Sequence, residues 1–440
     1  MTTATLRVEP GLPLVGSLFE FRRDRLAFQM RVADSGITRA RIGWRTLYVI
    51  TDSELAHEVL VTHEDAFIKG PGLAVVARPL LGDGLLTAEK APHRRARKLL
   101  APAFTPKRMT GYAAVMAACA TLHVDRVRPR AMFDIADAMM TTTLDIVGRT
   151  LFDADLAGDA RAVGDALTVA MEYVLATVLS PLPMTWPTPQ RKRGMAAVAQ
   201  LDEIVLRVIS ERRAAGDADR GDVLSILLSA RDDDGVGLTD RHIRDEIMTL
   251  MLAGHETTAN LLAWTWYVLA TVPAARARLD AELDAVLAGR PPTLDDLPRL
   301  PVTLAILEET LRLYPPAHTV AREAERDVVI GGVPIAKGAV VTVSVVAMQR
   351  RAAYFDDPLT FRLERFLGGD RKARRPGYLP FGAGPRVCIG NHFALVEAQL
   401  ILAAWAQRFH FRLAQPAPVE LEPLMTLRPK GGVWVEPVPR

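Results

Sequence analysis

The longest regular pattern in the sequence is a helical repeat of apolar residues from Thr239 to Val272. It extends for about 34 residues, which at 1.5 Å per residue predicts a helix roughly 50 Å long. An average globular helix is far shorter. A helix of this length must cross a whole domain, so the remaining elements are expected to pack around it.

Strand-like alternation is confined to three places, residues 38–51, 328–348 and 409–436. A turn at Gly43-Trp44 predicts a strand pair in the first, and the residues between Val333–Ile335 and Ala339–Val341 predict a hairpin in the second. Neither sheet is long enough to organise a doubly wound fold, and no Gly-x-Gly-x-x-Gly sequence follows a strand. The sequence therefore predicts one domain over residues 1–440, mainly α with small β-sheets, without its own nicotinamide or flavin site.

Composition excludes several classes of protein. The chain has 440 residues, of which 49% are hydrophobic, and a net charge of +3, too small for a protein that coats nucleic acid. Its two cysteines, Cys119 and Cys388, are too far apart for a paired-cysteine metal site, and a reducing, cytoplasmic location fits them best. No apolar run of signal-peptide length precedes Pro10, so we do not expect secretion. The most apolar window contains Glu256, so we expect no membrane span.

One thiol lies in a glycine-rich loop, Phe381–Gly390, just before a predicted helix from about Asn391 to Phe409. Glycines allow backbone N–H groups to approach the sulfur of Cys388. These donors and the positive end of the following helix are expected to lower the pKa of the thiol and stabilise a thiolate. Such a thiolate can be a nucleophile or a metal ligand, whereas Cys119, in an alanine-rich helix, is expected in the core.

The loop sequence FGAGPRVCIG resembles the haem-binding signature of the cytochrome P-450 family, because Phe, two Gly, Arg, Cys and the last Gly all occupy the family's positions. The resemblance implies the cytochrome P-450 fold as a single haem domain that carries haem b (iron protoporphyrin IX), with Cys388 as the axial thiolate of the iron. It further implies that Phe381 shields the sulfur, that Arg386 faces a haem propionate and that Gly390 helps to form the binding loop. The competing interpretation is a buried, unreactive cysteine.

The middle of the long helix reads Ala253-Gly254-His255-Glu256-Thr257-Thr258. Two small residues reduce the side-chain bulk, and a bond from Thr257 back to a carbonyl loosens the helix, which is expected to make room for a small ligand and a water. The sextet resembles the family's oxygen-activation motif, in which an acid and an alcohol relay protons to iron-bound dioxygen. The resemblance implies that Glu256 and Thr257 are the catalytic residues, and His255 is expected to be structural. Considered alone, Glu256 could belong to a solvated helix face and Thr257 could be an ordinary residue of the helix interior.

Glu309 and Arg312 stand three residues apart on a predicted helix that ends before Pro315. The sequence EETLRLYPP resembles the family's Glu-x-x-Arg helix, whose ion pair is joined by an arginine from a later loop. Arg365 is the best match for that arginine. The chain departs from the family at Leu363, where proline is frequent, so the turn before Arg365 is expected to be looser.

A basic segment after Pro92 places His93 and Arg97 on one helix face. It resembles the family's helix that grips the haem propionates, which implies that both residues bind haem. Many members have tryptophan where His93 stands, and both side chains supply a ring N–H donor. Arg322 matches a further propionate contact, and a solvated basic face is the alternative for this helix.

Taken together, these resemblances imply a haem-thiolate monooxygenase, an oxidoreductase that inserts one atom of dioxygen into a lipophilic small molecule such as a terpenoid, a fatty-acyl compound or another secondary metabolite. No reductase domain is present, so NAD(P)H is expected to supply electrons through an external ferredoxin or flavodoxin with its reductase. The substrate pocket is expected to be lined by four apolar stretches, residues 67–86, 251–258, 317–320 and the vicinity of Met425.

A basic patch is expected near the thiolate. Between Arg362 and Arg386 there are seven basic residues against two acids, Glu364 and Asp370. The basic residues are Arg362, Arg365, Arg371, Lys372, Arg374, Arg375 and Arg386. They could steer an acidic redox protein to the haem edge or form an ordinary solvated loop.

Two other functions stay open. A haem-thiolate isomerase, dehydratase or peroxygenase needs no reductase, and the complete Glu256-Thr257 pair argues against it. The second alternative is a non-catalytic haem protein that senses a gas or stores haem, or a helical interaction protein without haem. A sensor gains nothing from a proton relay or a large apolar pocket.

Overall fold

A computed structural model describes residues 4–178, 180, 184–216, 220–231, 237–368 and 375–440. Helices account for most of these residues. The helices are α1 Leu18–Arg23, α2 Arg25–Arg31, α3 Ser53–His57, α4 Arg78–Leu81, α5 Lys90–Leu100, α6 Pro106–Val124, α7 Ile135–Val147, α8 Ala160–Val178, α9 Pro189–Ala214, α10 Val223–Ser229, α11 Asp240–Thr271, α12 Pro273–Leu287, α13 Pro301–Leu313, α14 Val345–Met348 and α15 Asn391–Ala406.

The strands form small sheets beside the helices. They are β1 Leu6–Val8, β2 Ile37–Ile42, β3 Arg45–Ile50, β4 Phe67–Lys69, β5 Phe133–Asp134, β6 Thr319–Ala324, β7 Val328–Ile330, β8 Val333–Ile335, β9 Val340–Ser344, β10 Phe409–Leu413, β11 Leu421–Pro423, β12 Leu427–Pro429 and β13 Trp434–Pro439. One sheet has the order β1-β2-β3-β9-β6-β4 and another β10-β13-β5, and β7-β8 and β11-β12 are strand pairs. The predicted fold class, mainly α with small β-sheets, is confirmed.

The long central helix predicted from the sequence is α11. The Thr239 side chain caps its first turn by accepting the backbone N–H of His242. Most of its residues are buried, including Trp264 and Trp266, because α7, α9, α13 and α15 pack around it. A helix with apolar residues on every side can bury them only in such a central position. It ends at Thr271, where Pro273 begins the next helix.

The strand predictions are partly wrong. The turn at Gly43-Trp44 does join β2 to β3. The predicted hairpin between β8 and β9 is absent, since β8 pairs with β7 and β9 joins β3 and β6. Gly331 and Gly332 both have positive φ, which lets the chain turn tightly before β8 instead of after it. Strands β1, β4, β5 and β6 lie outside the three predicted regions. The first three have only two or three residues, too few to show alternation, whereas the six-residue β6 is a missed prediction.

Among the described residues, none of the helices has both the length and the hydropathy that crossing a bilayer requires.

Candidate active site

The middle of α11 has an open face within an otherwise buried helix. Ala253 is exposed and Thr257 is half-buried, whereas His255 and Glu256 are buried. Residues 253 and 257 are one turn apart and share a face. Because the helix runs through the core, this face borders accessible space inside the protein. The sequence predicts that the small residues Ala253 and Gly254 make this space. Ala253 does lie on the open face, but Gly254 faces α7, where an added Cβ would lie 3.0 Å from Val147.

The Thr257 hydroxyl donates to the carbonyl of Ala253 at 2.6 Å. This is the bond to the preceding turn that the sequence predicts. The expected loosening of the helix is wrong, because α11 continues without interruption from Asp240 to Thr271. Thr257 therefore stands on a rigid helix and has an oxygen lone pair left to accept a further hydrogen bond.

Glu256 is fully buried and points away from this open face. Its Oε1 accepts hydrogen bonds from the hydroxyl of Thr426 and from Arg428, whose Nε lies 2.8 Å away. Arg428 also donates to the hydroxyl of Thr168 on α8 at 2.8 Å. The second oxygen of Glu256, Oε2, has no hydrogen-bond partner in the described part of the chain. Thr426 and Arg428 carry no recognisable signal in the sequence, because Arg428 lies on the short strand β12 and Thr426 in the bend just before it, far along the chain from Glu256.

The cysteine loop is held by its own backbone. The N–H of Cys388 donates to the carbonyl of Phe381 at 2.9 Å, and the N–H of Val387 donates to that of Gly384 at 3.0 Å. Gly384 has a φ of +69°, and an added Cβ would lie 2.2 Å from the carbonyl oxygen of Leu60. Only glycine fits this point. The predicted helix follows as α15, which begins after Gly390.

The Cys388 thiol borders accessible space but is surrounded by protein on its other sides. Burial raises the pKa of the thiol, while the Gly390 N–H and the charge of Arg97 act in the opposite direction. The backbone donor thus acts in the predicted direction, but the expected net lowering of the pKa is wrong for the protein alone, because desolvation is the larger effect. A thiolate here needs a cation in contact with the sulfur. Cys119 is buried in the core as expected, and burial raises its pKa to about 12.

His93 and Arg97 lie on α5 beside the cysteine loop. Arg97 donates to the carbonyl of Val387 at 2.7 Å. His93 is buried, and its pKa is lowered to about 4, first by burial and then by surrounding cations, of which Arg386 has the largest effect. The imidazole is therefore neutral at physiological pH, and one of its ring nitrogens carries an N–H that is able to donate a hydrogen bond.

Arg322 and Lys69 extend this group of cations on two paired strands. Burial and the charge of Arg386 lower the pKa of Arg322 to about 10. Burial and the charges of Arg322 and Arg386 lower the pKa of Lys69 to about 7. Within the described residues, the Lys69 ammonium has no ion-pair or hydrogen-bond partner. Sequence analysis missed Lys69, although a lysine in the short apolar run Phe67–Gly70 is a signal for an inward-facing charge.

The cations at this site exceed the available carboxylates. Arg386 binds Glu89, lies 3.3 Å from Glu64 and donates to the carbonyl of Ala88 at 3.0 Å. Two acids thus face four basic groups, which are Lys69, Arg97, Arg322 and Arg386. Buried charges of one sign are costly unless they are neutralised. This excess fits a ligand that carries carboxylates, next to a thiol able to bind a metal.

The predicted pocket stretch 67–86 is anchored to α11 by two acids. The backbone N–H of Asp83 donates to Asp245 at 2.9 Å, and that of Leu85 donates to Glu246 at 2.9 Å. Gly82 allows this contact, because an added Cβ would lie 1.9 Å from the Asp245 carboxyl carbon. Burial raises the pKa of Glu246 to about 7.

Comparison with known proteins agrees with this geometry. The family model described as Cytochrome P450 matches residues 6–435. The chain belongs to the cytochrome P450 family.

Three bacterial relatives cover nearly the whole P450 chain. Cyclooctatin synthase of Streptomyces melanosporofaciens is 36% identical over 436 residues, 98% of this chain and 95% of the relative. Cyclooctat-9-en-7-ol 5-monooxygenase of the same organism is 34% identical, covering 93% of this chain and 90% of the relative. Pentalenene oxygenase of Streptomyces avermitilis is 34% identical, covering 95% of this chain and 94% of the relative. The chain is therefore an oxidoreductase, a P450 monooxygenase, and the family's cofactor is haem.

The residues present fit haem in a P450. The Cys388 thiol has the chemistry of an iron ligand, and the unmatched cations near it suit two propionates. Phe381 and Gly390, the other predicted binding residues, are both half-buried at the ends of the same loop.

The predicted Glu-x-x-Arg pair of the P450 is completely buried. Arg312 forms two bonds of 2.7 Å to Glu309. Arg365 lies 3.2 Å from Glu309, although its turn has leucine at 363. Arg312 also donates to the carbonyls of Gln349 at 3.0 Å and of Pro358 at 2.7 Å. The ion pair thereby fixes the segment that leads to the cysteine loop.

The predicted basic patch on the P450 lies only partly within the described residues. The side chains of Arg365 and Arg386 are mostly covered and engaged by carboxylates, so they contribute little to a docking surface. Asp370, Arg371, Lys372 and Arg374 lie outside the described residues. Arg362 is exposed and lies 3.7 Å from Asp357.

The predicted substrate stretches supply apolar surface. Leu86, Val320 and Met425 are half-buried, so each keeps part of its side chain accessible. His318 is buried beside Val320, and burial lowers its pKa to about 4. A neutral, largely apolar lining suits a lipophilic ligand.

Proposed function

We propose that haem b binds between the open face of α11 and the cysteine loop of a single haem domain. The observation that carries this proposal is the Cys388 thiol beside an excess of buried cations. The residues proposed to hold the haem are His93, Arg97, Arg322, Phe381, Arg386, Cys388 and Gly390, together with Lys69. When bound through the thiolate, haem supplies the activation of dioxygen from which one atom enters the substrate.

The protein contributes charge and orientation on the haem side. Arg97, Arg322 and Lys69 neutralise propionate carboxylates, and the ring N–H of the neutral His93 donates to one of them. Arg386 shares its charge with two carboxylates, so its contribution is the smaller. The Gly390 N–H and Arg97 favour the thiolate of Cys388 once a cation contacts it.

On the α11 side of the proposed haem site, Thr257 and Glu256 transfer protons. The Thr257 hydroxyl borders the open face, where it binds a water or an oxygen atom of a ligand. Glu256 is the acid of the pair: Arg428 holds Oε1, and the buried Oε2, which has no hydrogen-bond partner among the described residues, is the oxygen left to carry a proton. A positioned acid and alcohol of this kind contribute about 10² to 10⁴-fold in rate.

The substrate is proposed to be a terpenoid. Supporting observations are the apolar stretches around Leu86, Val320 and Met425 and the names of the relatives, cyclooctat-9-en-7-ol 5-monooxygenase and pentalenene oxygenase. Electrons are proposed to come from NAD(P)H through a ferredoxin or flavodoxin and its reductase, in the cytoplasm. The buried acid and the threonine at α11 favour this over a peroxygenase, an isomerase or a dehydratase.

Carbon monoxide difference spectra of the reduced protein test the haem proposal. The expected result is a strongly red-shifted Soret band, the signature of a thiolate ligand, that disappears in Cys388→Ser. The matched control is Cys119→Ser, which removes a buried thiol elsewhere and is expected to keep the band. A band characteristic of histidine ligation, or one retained in Cys388→Ser, would contradict the proposal.

Oxygen uptake tests the reaction class. With surrogate ferredoxin and reductase, NAD(P)H and a panel of cyclic terpenes, a monooxygenase consumes one dioxygen for each hydroxylated product. Product that forms with hydrogen peroxide but never with NAD(P)H would identify a peroxygenase, and rearranged product without oxygen uptake would identify an isomerase or a dehydratase.

A further inference from the structure

The N-terminal part of the structure exposes large apolar side chains. Leu14 is 80% exposed and Trp44 is 74% exposed, the two highest values among the exposed large apolar residues of the described chain. Leu12 and Phe19 are each at least 60% exposed. We call these four residues the N-terminal apolar patch. Single exposed apolar residues are ordinary, but a group of them marks an interaction surface.

Backbone contacts bring the four residues of this patch together. Leu12 and Gly16 exchange hydrogen bonds of 3.0 and 2.8 Å, so residues 13–15 form the tip of a small loop. The N–H of Gly43, the residue before Trp44, donates to the carbonyl of Val15 at 2.9 Å. A Cβ added at Gly43 would lie 3.8 Å from Leu18, the neighbour of Phe19. The patch is therefore one surface formed by a loop, a helix and a strand turn.

Leu14 occupies an unfavourable conformation for its residue type. Its φ is +66°, in the left-handed region that suits glycine and disfavours a side chain such as leucine. Glycine would satisfy the turn without strain. Leucine here exposes an apolar side chain and strains the backbone, so folding stability does not explain it. Strained, exposed residues of this kind are candidates for binding.

Arginines border the patch without ion-pair partners. Three exposed arginines next to the patch, Arg22, Arg23 and Arg41, have no carboxylate within ion-pair distance among the described residues. Phe19 shares a helix face with Arg22 and Arg23. The nearby acids are engaged, since Arg31 binds Glu9 and Glu20, and Asp24 caps α2. The surface therefore presents apolar tips surrounded by positive charge.

We propose that the N-terminal apolar patch docks on an anionic lipid surface. Leucine and phenylalanine tips enter the boundary between headgroups and acyl chains, tryptophan favours the same depth, and the arginines meet lipid phosphates. A protein partner would be better served by a continuous face or groove than by separate side chains on a loop and a turn. This inference does not depend on the proposed function.

Sedimentation with lipid vesicles tests the proposal, using the full chain with its cofactor. We expect binding to phosphatidylglycerol vesicles, little binding to phosphatidylcholine vesicles, and weaker binding as salt is raised. Leu14→Gly removes the apolar tip and relieves the positive φ, so it should reduce vesicle binding about tenfold without lowering the unfolding temperature. Trp44→Ser should reduce binding by a similar factor.

The control variant is Leu122→Ser, which removes an exposed leucine from α6, outside the patch. It should bind anionic vesicles as the unchanged protein does. The proposal is overturned if phosphatidylglycerol and phosphatidylcholine vesicles bind equally, if neither binds, or if Leu14→Gly and Trp44→Ser bind as tightly as the control. Displacement of bound vesicles by an acidic protein at equal ionic strength would instead assign the patch to a protein partner.

Discussion

The two sides of the active site are built in different ways. The Cys388 loop consists of ten adjacent residues whose hydrogen bonds, from Cys388 to Phe381 and from Val387 to Gly384, are made by the backbone. Glu256, on the α11 side, is held by the side chains of Thr426 and Arg428, and the first of these is 170 positions away in the chain. The cysteine loop is therefore held by backbone bonds between residues close in sequence. Glu256 is held by side chains from a distant part of the chain.

This difference determines how each side responds to substitution. A loop held by backbone bonds keeps its shape when an outward-facing side chain changes. A buried carboxylate held by an arginine depends on that single partner, because an unpaired charge in the interior is costly. We therefore expect stability to be concentrated on the α11 side, although the proposed metal ligand is on the other.

The largest expected effect follows from removing the partner of Glu256. Arg428→Met should lower the free energy of unfolding by about 3 to 5 kcal/mol, because it leaves the buried carboxylate without its counter-charge. Urea unfolding followed by circular dichroism measures this change. The double variant Arg428→Met with Glu256→Gln should recover most of the loss. If the single and double variants are equally destabilised, the ion pair is not what the arginine supplies.

The next effect concerns Glu246, also on α11. Its pKa is raised from 4.5 to about 7 by burial, so the folded state binds this proton more tightly than the unfolded state. The resulting stability is complete below pH 4.5 and is lost as the pH rises through 7. Between pH 5 and pH 8 the loss should be on the order of 3 kcal/mol.

Urea unfolding at several pH values checks this prediction. Glu246→Gln keeps an oxygen that can accept the Leu85 N–H and should remove this part of the pH dependence. The control Glu203→Gln changes an exposed acid on α9 and should leave the dependence intact. An unchanged pH profile in Glu246→Gln would assign the dependence to other groups.

The smallest effect is expected in the cysteine loop. Pro385 is exposed, and Pro385→Ala should cost about 0.5 kcal/mol, mainly because the unfolded chain gains freedom. Thermal unfolding and the position of the Soret band measure the result. A loss of several kcal/mol, or a shifted band, would mean that side chains and not the backbone determine the shape of this loop.

The same contrast explains what could be predicted from the sequence. The α11 helix was predicted because its apolar pattern is long, and the cysteine loop because its residues are adjacent. Lys69 and Arg428 were missed because their importance depends on which distant strands pack beside them. The hairpin was misplaced because β9 is apolar enough to serve in either sheet, and only the turn glycines Gly331 and Gly332 decide between them.

Arg428 has a consequence for regulation as well as for stability. It binds Glu256 on α11 and Thr168 on α8 at the same time, so the position of α8 and the pairing of the Glu256 carboxylate are thermodynamically linked. A displacement of α8 that withdrew the guanidinium would leave the buried carboxylate without its counter-charge. By reciprocity, a ligand that strengthened the Glu256–Arg428 pair would tighten the attachment of α8 by the same free energy.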